Sequence, residues 1–319
     1  MTGTAETATG APGMWHRYRV CWGLTVLAAG LVTAGAKAEP PLPDQANHAP
    51  PNAAALPEVT IRAQREAIEP RVRAFVFNSA KGEPSETSLA RWVRPICLLV
   101  VGLTEEQKQF VRSRLSEIAT AAGAHMAAEP CEANLAIVVA TDPVAILKAW
   151  YKRDDHLFGD VIELRVKEFF KAPRPVYVWY NAKIEPTDKM PQSIGIPGQL
   201  GLAFSRAVGT LPSATNIKTN DVRAFTSVIV AIDRSRMQGI GLTQLTDYAA
   251  MVGLAEIHLD ADVGTAPTVL RLFSPSNEAP PPGLSDWDRA YLKALYHLNL
   301  KTWTQRAQIA ERIVHDLVP

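Results

Sequence analysis

Apolar residues recur along this chain at two spacings, and the first half switches repeatedly between them. Short continuous runs at 95–101, 135–140, 176–182 and 225–232 are rich in Val, Ile, Leu and aromatic residues. Runs of that length and content predict buried strands. Between the first two, Phe110, Val111, Leu115, Ile118 and Ala122 return near the helical period. Thr104 and Gln107 form a capping box ahead of that helix, and Gly123 stands where it should stop. Ile68, Val72, Phe75 and Val76 predict a helix over 64–80 despite Pro70, and 143–151 and 161–170 predict two more. After residue 242 helical patterns dominate. The expectation is an α+β fold, with a mixed sheet, flanking helices and a helical C-terminal part.

Two helices of the second half carry the most information. In TQLTDYAAMVGL, at 243–254, Leu245, Tyr248, Ala249 and Val252 make an apolar face, and Gly253 reads as the helix stop. A zinc-protease helix carries H-E-x-x-H in such a frame, with two imidazoles one turn apart holding the metal and a Glu polarising its water. Aligned on Gly253-Leu254, the first ligand position falls on Thr246, the Glu position on Asp247 and the second ligand position on Ala250. Ala cannot bind zinc and Thr binds it poorly, so no catalytic residue is assigned. In the second helix, from Ser285, a Ser285/Asp288 capping box precedes Trp287, Tyr291 and Leu295 on one face. Ile309, Ile313 and Leu317 predict a last amphipathic helix.

The segment 228–296 resembles an exported proteobacterial protein family of unknown function with a zincin-like arrangement lacking the zinc-binding motif. The resemblance rests on Gly253-Leu254, on Thr268–Phe273 as a T-x-L-x-L-F stretch, and on Leu284, Ser285, Asp288, Leu295 and Tyr296. It implies a zincin-like scaffold and a non-catalytic protein that binds a peptide or an envelope component. The alternative is a metal-dependent hydrolase with non-standard ligands, for which Asp247, Glu256, His258 and Asp260 are the candidates. Asp260-x-Asp262-x-Gly264 also has the opening of a calcium loop, but residues 265–276 supply no further carboxylate. Glu256 and His258 read either as a structural hydrogen-bonded pair or as an acid and base in a cleft. No metal or other cofactor is assigned. The tryptophans at 150, 179 and 287 have the spacing of core residues more than of a sugar platform.

The N-terminus predicts export. Arg17 and Arg19 precede an apolar stretch at 20–32, too short to span a bilayer, and Ala36-Lys37-Ala38 offers a cleavage site. Residues 1–38 therefore read as a signal peptide cut after Ala38, with Met1 or Met14 as the start. The proline- and alanine-rich span 39–58 reads as a linker and 59–319 as a single α+β domain. This predicts a periplasmic or secreted protein with no stable membrane span after cleavage. The chain carries 33 basic and 32 acidic residues, with no basic stripe, which argues against nucleic acid as a partner. In an oxidising compartment Cys97 and Cys131 are expected to pair. The span 184–220, weakly patterned and dotted with Gly and Pro, reads as a surface insertion or a lid.

Overall fold

The four apolar runs become the four strands of one mixed sheet. The computed structural model describes residues 56–82, 88–159, 163–186, 221–274, 279–298 and 305–319. Strands β1 (Leu98–Val101), β2 (Leu135–Ala140), β3 (Val176–Pro186) and β4 (Asp221–Asp233) lie in the order β1-β2-β4-β3. The first three in that order are parallel, and β3 closes the edge antiparallel to β4. Parallel neighbours require a crossover, and helix α2 (Glu105–Ala122) supplies the one between β1 and β2. The β3/β4 pair runs past both apolar runs, as far as Pro186 opposite Asp221. Its outer residues, such as Lys183 and Glu185, are held by backbone pairing, which leaves no trace in hydropathy.

Alternation along the strands sorts the helices into two layers. Leu135, Ile137 and Val139 of β2, with Val228, Val230 and Ile232 of β4, share one core with helices α1 (Leu56–Ser79), α2, α5 (Leu242–Leu254), α6 (Asp286–Tyr296) and α7 (Gln305–Leu317). Val138, Ile229 and Ala231 face the other way. They meet Leu147 of α3 (Pro143–Arg153), Phe158 of a 3-10 turn and Val166 of α4 (Glu163–Phe169). Trp179 packs here against Phe158 and Phe169, with ring centroids 5.1 and 4.9 Å apart, and its indole donates to the Phe158 carbonyl. Trp287 lies against Phe75 in the larger core.

Several expected boundaries shift. Helix α1 begins at Leu56, so residues 56–58 belong to it and not to a linker. Pro70 stays inside it: beyond the proline, Val72, Phe75 and Val76 are fully buried, which offsets a proline cost of about 3 kcal/mol. Phe110 is 39% exposed and lies off the buried stripe of α2, contrary to expectation, whereas Val111, Leu115, Ile118 and Ala122 form it. The Thr104/Gln107 capping box forms, and Gly123 ends α2 in the left-handed region at φ 98°. Cys97 and Cys131 are joined by a disulfide that ties the start of β1 to the approach to β2. Ile184, Glu185 and Pro186 are the end of β3, and the rest of the expected lid lies outside the described residues, as do the signal peptide and residues 39–55. No described helix is long and apolar enough to cross a membrane.

Candidate functional site

Helix α5 is buried on every side. Each residue from Leu245 to Leu254 is shielded, so Thr246 and Ala250 line no cleft. Thr246 donates its hydroxyl to the Leu242 carbonyl one turn back, at 2.7 Å, and Ala250 is fully enclosed. Gly253 does not stop the helix, which continues through Leu254 to a cap at Ala255. Its lack of a side chain serves packing instead. A Cβ there would stand 3.3 Å from Leu135, and the Gly253 carbonyl accepts the Trp92 indole at 2.8 Å.

Asp247, at the position of the catalytic Glu, has no exposed surface, and both of its oxygens are engaged. Arg114 of α2 forks onto them, Nε to Oδ1 at 2.8 Å and Nη2 to Oδ2 at 2.9 Å. The Leu284 amide adds a third bond to Oδ2, at 2.8 Å. That oxygen lies 2.5 Å from where a Cβ on residue 283 would stand, which explains Gly283. The carboxylate thus fastens α2, α5 and the entry to α6 together. A base that must reach a substrate proton needs a lone pair facing a cavity, and the Asp247 side chain is fully enclosed.

The other candidates are dispersed. Glu256 is buried and forms an ion pair with Arg223 of β4, through Nη1 and through Nη2 at 3.3 Å. His258 is exposed, and its amide donates to the Ser79 carbonyl. Partial burial, then the charges of Lys81 and Arg306, hold its imidazole below the usual pKa, against the opposing pull of Glu256 and Asp260. Asp260 is exposed and lies 3.5 Å from Arg174. Asp262 accepts from the Gly264 amide in a local turn. Among the described residues no three His, Cys, Asp or Glu side chains converge as a metal site would require. Asp288 also turns inward: it accepts from Thr268, Val269 and Ser285, and burial raises its pKa in spite of those bonds. The T-x-L-x-L-F stretch and the capping box are thereby two sides of one buried joint.

An open groove lies on the far side of the Arg114–Asp247 pair. It encloses about 470 Å³ between α2, α6 and the end of α7. Ile118, Ala121, Ala290 and Leu317 give it an apolar floor, and Arg114 and Lys293 stand at its edge. No motif announced it, because α2 on one wall lies far along the chain from α6 and α7 on the other.

Replacing Thr246 and Ala250 together by His should not create a zinc site. Two imidazoles at enclosed positions overfill the core, at about 1–3 kcal/mol each or more. Thermal unfolding of the double variant is expected to shift down and to stay insensitive to added zinc. A zinc-dependent rise would show that the helix can present this face. Comparison of the chain with protein-family models, curated proteins and solved structures finds no match.

Proposed function

We propose that this is an exported, non-catalytic binding protein on a zincin-like scaffold, and that it holds a peptide or an envelope component in the groove between α2, α6 and α7. The observation that carries the reading is Asp247. The residue that would activate water is spent on Arg114 and the Leu284 amide, and its two neighbours in the frame are core residues. The scaffold reading draws support from β4 leading into α5 and from the antiparallel edge strand β3. Export rests on the Arg17–Ala38 pattern and fits the Cys97–Cys131 bridge. For the groove, the support is an apolar floor with a charged edge, a combination suited to one or two apolar side chains on a polar backbone.

The purified chain is expected to carry no stoichiometric zinc and to leave a mixed peptide library uncut, with or without chelator. The same library is expected to yield groove-binding peptides that Ala121→Trp, a change at an exposed position in the groove lining, excludes. Cleavage abolished by a chelator and restored by zinc would overturn the non-catalytic reading. Peptide binding unaffected by Ala121→Trp would overturn the groove.

A further inference from the structure

The charges around the α2–α6–α7 groove are less even than their number suggests. Arg114, Arg289 and Lys293 line it, and so do Glu117, Asp286 and Asp316. The cations differ in what they are already holding. Arg114 is forked onto Asp247 beneath the groove and lies 3.6 Å from Glu117, so one cation serves two carboxylates. Lys293 is paired with Asp316 at 2.9 Å. Arg289 keeps its charge, but its guanidinium is tied back to the Leu284 carbonyl. On the acidic side, Asp286 is exposed and makes no ion pair among the described residues. The Glu117 side chain is 64% exposed.

Helix ends add to the negative side. Ala121 and Ala122 of the lining belong to the last turn of α2, which carries no basic residue. The amides of Gly123 and Ala124 return to Thr120 and Ala119, and no described backbone amide returns to the Ala121 or Ala122 carbonyl. The last turn of α7 reaches the same groove through Asp316 and Leu317. Each of these helices brings the negative end of its macrodipole, equivalent to roughly half a charge. The start of α6 brings one positive end, and Asp286 stands in its first turn to meet it. Two negative ends therefore face one positive end, around a floor that Ile118, Ala290 and Leu317 keep apolar.

We infer, on the reading that this groove binds a peptide, that the peptide is a basic one: an apolar side chain sits on Ile118, Ala290 and Leu317, and a Lys or Arg beside it meets Glu117 and Asp286. An anionic envelope polymer fits the same lining poorly, because it would face those two carboxylates with Arg289 as the one lining cation not already paired with a carboxylate. Charge pairs at exposed positions are weak, so the preference is a matter of a few-fold.

The test uses three capped peptides that share the same leucines and carry lysine, glutamine or glutamate beside them. Binding to the purified chain is followed by fluorescence anisotropy at low salt. The lysine peptide is expected to bind about three- to tenfold more tightly than the glutamine peptide, and the glutamate peptide more weakly than either. The margin should shrink as salt rises, because the groups are exposed. Glu117→Gln combined with Asp286→Asn is expected to bring the lysine and glutamine peptides to within about twofold of each other. That ratio is read on one protein at a time, so a general loss of affinity in the variant cancels. Ala121→Trp separates two levels of failure. If no peptide binds, or if binding survives Ala121→Trp, the groove is overturned and the preference with it. If Ala121→Trp excludes the peptides, but the glutamine or glutamate peptide binds as tightly as the lysine one, the groove stands and its basic preference is overturned. A lysine preference that persists in the double variant overturns the assignment to Glu117 and Asp286.

Discussion

Arg114→Met is expected to destabilise the protein by about 3–5 kcal/mol, the cost of leaving a buried charge without its partner. The substitution keeps an unbranched apolar stem and removes the fork. Asp247 then remains fully enclosed, with only the Leu284 amide to hold it. The reverse change, Asp247→Ala, should cost less. The Arg114 side chain is 27% exposed and has Glu117 3.6 Å away, so it can turn to solvent. The predicted order, Arg114→Met worse than Asp247→Ala, separates a buried anion from a surface ion pair, in which either deletion costs at most about 1 kcal/mol. Combining Arg114→Met with Asp247→Leu should recover part of the loss, because the charge goes and apolar volume replaces it. Urea unfolding midpoints measure all three. If Arg114→Met lies within about 1 kcal/mol of the parent, Asp247 is not the joint described above.

Removing the disulfide, as Cys97→Ala with Cys131→Ala, should cost about 3–4 kcal/mol by chain entropy for a sequence separation of 34. At about 2–4 °C per kcal/mol for a domain of this size, the unfolding temperature should fall by roughly 6–16 °C. The segment before β2 is not held by the bridge alone. The Ile96 amide donates to His125, the Ala127 amide donates to Ile96, and the Asn134 side chain bonds both the Cys97 amide and the Pro95 carbonyl. The variant should therefore still fold and unfold in one transition, at a lower temperature. An unchanged midpoint after complete reduction would show that those hydrogen bonds alone fix the segment.

The elements that could be read in advance were those whose signal is local. The Thr104 cap, the Gly123 stop and the apolar runs of β2 and β4 each depend on residues within a few positions of one another. The pairing of Cys97 with Cys131 was legible because few cysteines were available. The frame around Thr246, Asp247 and Ala250 was visible as a pattern, but its surroundings were not. Arg114 is 133 residues from Asp247 in the chain, and nothing in the spacing of either announces the other. The same holds for Arg223 with Glu256. A charged residue in an otherwise apolar helix admits two readings, an active-site group or a buried clamp, and only the tertiary partner separates them. Arg91 and Arg271 are further cases: both are buried, and nothing near either in the sequence marks it as such.

Helices α1 and α7 pack antiparallel: Arg65 reaches the Val318 carbonyl at 3.0 Å, and Arg306 reaches Ala80 at the opposite end. The start of α1 and the end of α7 therefore lie side by side, on the side away from the Arg306–Ala80 contact. At about 1.5 Å per helical residue, the span of α1 from Arg65 to Ala80 sets them roughly 2 nm from it. Neighbouring ends favour circular permutation. A short linker from Pro319 back to Leu56 would leave the helix pair intact, and new termini at the exposed turn around Gly239 would interrupt neither the sheet nor α5. Permuted in this way, the protein would present its ends beside the sheet, and a carrier fused there would approach from a different side.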